Sequence, residues 1–193
     1  MSSAEKEKLR AQVREAGRAL SDRAKREASR RLQERVLALP EYAAARVVSL
    51  YAPFPSEPDT ERLFAQARAA GKRVVFPGYA SGGPDLRELS DLADLREGSR
   101  GGLRHPPPGP AVPPEQVDVF VVPGMAFDRA GRRLGRGQGF YDRLLAKRGA
   151  SSTAVGVCFD HALVEPLEVE PHDLPVDYVA TPSELFERPG RKR

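Results

Sequence analysis

The segment Val117–Val122, VDVFVV, constrains this chain most. Five of its six residues are apolar and four are valine, so it is the strongest strand signal in the sequence. Weaker strand signals flank it at 47–51 (VVSLY), 72–76 (KRVVF), 85–89, 153–159 and 176–180. Helical periodicity separates them. Residues 59–70 form an amphipathic segment opened by Asp59-Thr60 and closed by Gly71, and a short helix is expected over 139–148. Residues 99–114, rich in Gly and Pro, read as loop. Strands and helices in this order predict a single three-layer α/β/α domain spanning 1–193, with a mainly parallel sheet in a core over 45–185. Residues 1–39 predict an N-terminal helical arm. Leu9, Val13, Ala16 and Leu20 make one apolar stripe, and Ala24, Ala28, Leu32 and Val36 continue it. Ser21-Asp22 can cap a second helix, so one long helix and two shorter ones are equally compatible with the pattern. Pro40 is expected to end the helical region, and the closing ERPGRKR to fray.

Parallel sheets bind ligands beyond the carboxyl ends of their strands. The stretches after VVSLY, VVF and VDVFVV are therefore where chemistry is expected. Composition narrows it further. No stretch approaches the ~20 apolar residues of a membrane helix. The start, MSSAEKEKLR, has no apolar core of the kind a secretory signal carries. The single cysteine, Cys158, lies in the apolar run AVGVCF; it reads as a buried structural thiol and makes neither an internal disulfide nor a cysteine zinc site. A cytoplasmic protein is expected. The net charge of +4 suits an anionic partner, phosphate ligand and nucleic acid alike. Aromatics at 7% and the absence of Trp argue against single-strand nucleic-acid binding, which needs exposed stacking rings.

After VDVFVV the chain runs PGMAFDRAGRRLGRGQGFYDRLLAKR. Gly135, Gly137 and Gly139 let backbone N–H groups approach an anion closely. Arg132, Arg133 and Arg136 offer forked guanidinium donors suited to phosphate. A helix starts near Gly139, and Asp142 in its first turn is placed to hold a divalent cation. There is no Walker A lysine, and the glycines lie too far past the strand for a dinucleotide fingerprint. A solvated basic hairpin is the plain alternative.

This stretch resembles the signature of the 5-formyltetrahydrofolate cyclo-ligase family: a strand, then PG-x-x-F-D, then G-x-R-L-G-R-G-x-G-[YF]-Y-D. Phe140 stands where tyrosine is more usual. The resemblance implies that Arg133, Leu134, Gly135, Arg136, Gly137, Gln138, Gly139, Phe140 and Tyr141 wrap ATP, with Arg136 and Tyr141 catalytic and Asp142 on Mg2+. It extends to Lys6-Glu7-Lys8-Leu9-Arg10, similar to a K-x-x-[LI]-R element whose cations reach the ATP phosphates. Eleven basic residues against six acidic ones in the first 35 suit an arm over a polyanion. It extends also to Tyr51, Glu57, Asp59 and Thr60, where the Glu contacts the folate. Ala52, Pro77 and Tyr79 are implied at the same cleft. In the closing segment Asp173 is the implied second metal carboxylate, while His172 and Asp177 are as well explained by holding a turn. One departure is Pro107, where the family more often has Glu. The implied activity is ATP- and Mg2+-dependent closure of 5-formyltetrahydrofolate to 5,10-methenyltetrahydrofolate by a monomer with small-molecule substrates, without nucleic acid or membrane. The alternatives are a sugar-phosphate isomerase or coenzyme A transferase on a similar frame, and an RNA-binding protein.

Overall fold

The computed structural model describes residues 1–80, 83–98, 104–168, 170 and 173–191, with the side chains of Tyr79 and Ala80 also outside the description. The arm is two helices, α1 (Ser3–Ala19) and α2 (Asp22–Leu37). Ser21 decides between the two readings of the sequence, because its side chain accepts from the Ala24 N–H and caps α2. Pro40 does not end the helical region. It opens a short third helix, α3 (Pro40–Ala44), at a position where its missing N–H costs nothing.

The sheet begins with β1 (Val47–Ser49), crosses through α4 (Glu61–Ala69) to β2 (Arg73–Ala80), and turns back as β3 (Gly83–Glu88). A small hairpin follows, β4 (Arg96–Glu97) with β5 (Arg104–His105); β5 lies inside the stretch 99–114 expected to be loop, and residues 99–103 lie outside the description. The chain returns to the sheet as β6 (Val119–Pro123) and makes a second hairpin, β7 (Ala126–Phe127) with β8 (Arg133–Leu134). Then come α5 (Phe140–Leu145), β9 (Thr153–Val157), β10 (Tyr178–Ala180) and β11 (Leu185–Glu187). The seven strands lie in the order β11-β10-β9-β6-β1-β2-β3. The inner five are parallel, and β3 and β11 close the two edges antiparallel.

Alternation sorts the strand residues onto two faces. Val48, Val74, Val119, Val121 and Val155 face one core with α2, α3 and α4. Val47, Val75, Phe120, Val122 and Val179 face the other with α5, the β7–β8 hairpin and Val13 of α1. The sheet is thus covered on both faces, the expected α/β/α layering. Asp118, the one polar residue of VDVFVV, has a structural role. Its carboxylate accepts from the N–H groups of Arg46 (2.7 Å) and Val47 (2.9 Å), clasping the start of β1 to the start of β6.

β11 has only three residues and is absent from the sequence expectation. It continues into a tail docked as far as Arg191, which corrects the expectation of fraying for 187–191; residues 192–193 lie outside the described residues. The Arg191 guanidinium pairs with Glu41 at 2.7 Å, lies 4.4 Å over the Tyr178 ring and donates to Thr153 Oγ1. Among the described residues no helix is long and apolar enough to cross a membrane.

α1 is held to the body by few apolar residues, chiefly Val13, with Gly17 giving room for the His161 ring and Ser56. Burial holds the His161 imidazole below its ordinary pKa, against opposing contributions from Asp160 and a hydrogen bond to the Val13 backbone. The folded state therefore binds this proton less readily than the unfolded chain. Stability should fall as pH drops below about 6.5 and level off once pH passes the depressed folded value. Urea midpoints measured between about pH 7.5 and 5 should show this slope, and His161→Gln should flatten it.

Candidate functional site

The chain leaves β1 toward β2 on one side, and later enters β6 on the other side of β1. That reversal makes a crevice at the carboxyl ends of β1 and β6. A cavity of about 520 Å3 opens there, with Tyr51 and Ala52 after β1, Pro77 in β2, and Pro123 and Gly124 at the end of β6 in its wall.

The loop after β1 is built to hold one carboxylate in place. Tyr51 is buried, and its hydroxyl donates to the Pro58 carbonyl at 2.6 Å. Burial, reinforced by the nearby Glu57 charge, pushes that phenol well above its ordinary pKa, so it remains a donor. Thr60 Oγ1 donates to the Tyr51 carbonyl, and Asp59 accepts from Gln33 of α2. The rigid turn presents Glu57, with a side chain only 7% exposed. Its Oε2 accepts from the Phe54 N–H at 3.0 Å, and its Oε1 accepts from Arg136 Nη2 at 2.8 Å. The Arg136 guanidinium also lies 3.9 Å over the Phe54 ring. Two residues assigned to different ligands by the sequence pattern are thus each other's partner.

The glycine loop forms the facing wall. Gly137 (φ +92°) and Gly139 (φ +57°) take left-handed conformations that side chains rarely adopt. Gly139 caps α5, so Tyr141 and Asp142 fall in the first turn. The Arg133 side chain is only 6% exposed, and its Nη2 donates to both Asp142 oxygens at 2.9 and 2.8 Å. Its Nε is buried without a partner among the described residues. Arg132, read as a third phosphate cation, turns away. It is ion-paired with the fully buried Asp128, Nε to Oδ2 2.5 Å, and takes no part in the cavity wall.

The arm closes the cavity from above. Arg10 Nε donates to the Gly135 carbonyl at 2.9 Å, and Lys6 Nζ meets Glu170 at 2.6 Å. Residues 125 apart in sequence therefore share one wall. Glu7 and Lys8 do not: both are exposed, Glu7 pairing with Arg10 and Arg14, and Leu9 packs into the core below. Leu134, Gln138 and Phe140 line the cavity along with the glycines, and Asp173 does so from the closing segment. The Tyr79 side chain and His172 lie outside the described residues. Asp177 is remote and structural, accepting from the Ala154 N–H and pairing with Arg148 and Arg188.

The family model for 5-formyltetrahydrofolate cyclo-ligases matches residues 2–182. The chain belongs to the 5-formyltetrahydrofolate cyclo-ligase family. It is accordingly an enzyme of that ligase class in folate metabolism. It is 33% identical over 181 residues to the 5-formyltetrahydrofolate cyclo-ligase of Escherichia coli K12, covering 91% of this chain and 99% of that one. It is 36% identical over 146 residues to the enzyme so named from Mycolicibacterium smegmatis, covering 72% and 75%. The NMR structure of Aquifex aeolicus 5,10-methenyltetrahydrofolate synthetase superposes with a TM-score of 0.83 at 33% identity, covering 97% and 95%.

The motif of this cyclo-ligase family is legible in the sequence, but several wall residues are not. Phe54 lies in the proline-rich turn after β1, and its closeness to Glu57 is the one available signal. Leu167, Glu168 and Glu170 come from an acidic, proline-broken stretch without periodicity, and Arg104 from a segment that reads as loop. The fold reaches Leu167 through Asp128, whose buried carboxylate accepts from the N–H groups of Ala130, Arg132 and Leu167 as well as from Arg132 Nε. One anion thus fixes both the turn before β8 and a second wall of the cavity. Asp128→Asn leaves the shape but removes the charge and one acceptor. It should destabilise the protein by about 2–4 kcal/mol, read as a lowered urea midpoint with unchanged m-value.

Proposed function

We propose that the cavity catalyses ATP- and Mg2+-dependent cyclisation of 5-formyltetrahydrofolate to 5,10-methenyltetrahydrofolate, with release of ADP and phosphate. The observation that carries this reading is the convergence of Lys6 and Arg10 with the glycine loop, opposite Glu57, in one cavity. Such a set suits a polyphosphate on one side and a hydrogen-bonding heterocycle on the other. The proposed chemistry needs no protein nucleophile. The formyl oxygen attacks the γ-phosphorus and ADP leaves. N10 then attacks the formyl carbon, the C–O bond to phosphate breaks, and the N10 proton is lost.

In this reading Lys6, Arg10, Arg133 and Arg136 hold phosphates and stabilise the charge that develops on transfer. Backbone N–H groups from Gly135 to Gly139 add donors at the start of α5. Glu57 accepts from the N–H edge of the pterin, and Tyr141 positions the reacting groups. Asp142 and Asp173 both line the cavity, and Asp173 is oriented by a hydrogen bond from the Glu170 N–H. Among the described residues there is no cluster of three His, Cys, Asp or Glu side chains. Two carboxylates are a donor set that suits Mg2+, which binds through one or two carboxylates and the substrate's own phosphates, with Asp142 exchanging its pair with Arg133 for the cation. Bound there, the cation would neutralise phosphate charge. We place the enzyme in the cytoplasm as a monomer, a setting compatible with its lone buried thiol.

The deciding assay is formation of the methenyl product, followed by its absorbance, with ATP and Mg2+ each omitted in turn. Glu57→Gln should raise the KM for 5-formyltetrahydrofolate by about tenfold or more, with a much smaller effect on the KM for ATP. Equal effects on both would remove Glu57 from the folate side. Asp142→Asn should lower kcat and raise the Mg2+ concentration needed for half-maximal rate by about tenfold. An unaltered Mg2+ titration would leave the metal to Asp173 and the substrate phosphates.

A further inference from the structure

Five lysine or arginine side chains line the cavity among the described residues: Lys6, Arg10, Arg104, Arg133 and Arg136. Four are engaged within the protein. Lys6 is held by Glu170, Arg10 by Glu7 and the Gly135 carbonyl, Arg133 by Asp142, and Arg136 by Glu57. Arg104 is different. It is exposed on β5, paired through its backbone with Glu97, and its guanidinium has no hydrogen bond, ion pair or ring contact to any described residue. It also comes from a different element: the β4–β5 hairpin, which lies against β2, rather than α1 or the glycine loop.

The four engaged cations and Arg104 suit different roles. An anion arriving at Arg136 or Arg133 competes with a carboxylate already in place. An anion arriving at Arg104 meets no competitor among the described residues, so its contact adds to binding without breaking a pair. A folate carries such anions far from its reacting atoms. N5, N10 and the formyl group lie at the pterin end, while the glutamate carboxylates lie beyond the benzoyl linker. With the reacting end beside the phosphate-binding cations, the glutamate is left to reach toward a remote part of the cavity rim. We propose that Arg104 anchors the glutamate carboxylates of the folate substrate and so sets the enzyme's preference for glutamate-bearing folates. This rests on the reading of the cavity as the folate site. The forked guanidinium matches a carboxylate in a way a lysine does not. An exposed contact of this kind is weakened by salt.

The test compares two substrates, 5-formyltetrahydrofolate and 5-formyltetrahydropteroate, which lacks the glutamate, in wild-type enzyme and in Arg104→Ala and Arg104→Lys. Arg104→Ala should raise the KM for the glutamate-bearing substrate by about tenfold, with Arg104→Lys in between. Its KM for the pteroate should stay within about twofold of wild type, and added salt should narrow the difference between the two substrates. Equal rises on both substrates, no rise on either, or a rise in the KM for ATP as large as that for folate would each overturn the anchor. A wild-type enzyme that forms no methenyl product from either substrate would instead overturn the functional reading beneath it. An active wild type indistinguishable from Arg104→Ala would overturn the anchor alone.

Discussion

The pairing of β1 with β6 is the constraint on which the rest of this structure depends. Asp118 clasps the two strands at their amino ends, and parallel pairing through Val48–Val119 and Ser49–Phe120 aligns them from there. Because the chain departs from β1 in one direction and arrives at β6 from the other, the loops beyond their carboxyl ends have to separate. The turn carrying Glu57 and the stretch carrying Arg133 and Arg136 are consequences of that separation. Were β6 placed beyond β2 instead, Glu57 and the glycine loop would lie on opposite sides of an intervening strand. The cavity is a product of strand order before it is a product of any side chain.

Polar groups buried below the cavity then fix what the strands leave open. Asp128 gathers four donors from two separate segments, and Phe127 beside it fills the space above Gly156, where an added Cβ would lie 2.3 Å from the ring. A buried carboxylate is costly unless fully hydrogen-bonded, so this arrangement permits few alternatives. The arm is attached differently. α1 buries only Val13 and Gly17 and is otherwise tied by polar contacts, Arg10 to Gly135 and Lys6 to Glu170. An element with so little apolar burial opens at lower free energy than the sheet it covers.

The legibility of the sequence followed the same physics. Valine-rich strands, the Ser21 cap and the glycine spacing are local signals, and each has its counterpart in the structure. What escaped was set by how the elements fold against one another. Arg132 and Arg133 are adjacent and chemically alike, yet one pairs with Asp128 away from the cavity and the other with Asp142 in its wall. The motif gives no sign of which carboxylate each takes, because that depends on how the β7–β8 hairpin and α5 fold: Arg132 sits in the turn before β8 and Arg133 in β8 itself. The docked tail was missed for the same reason: Arg191 finds Glu41, Tyr178 and Thr153 only after the sheet has assembled. Glu57 and Arg136 were each legible as site residues, but their contact across 79 positions was not.

That contact bears on how the cavity works. Four cations held by internal partners before any ligand arrives are already positioned, so little side-chain freedom remains to be lost on binding. The cost is competition, since a phosphate that takes Arg136 leaves Glu57 without its guanidinium. A carboxylate only 7% exposed is not left bare without penalty. In the proposed chemistry a pterin offering N–H donors relieves that penalty. Phosphate on Arg136 and pterin on Glu57 would then favour each other without any larger movement of the protein. The coupling would be reciprocal, each ligand tightening the other by the same factor.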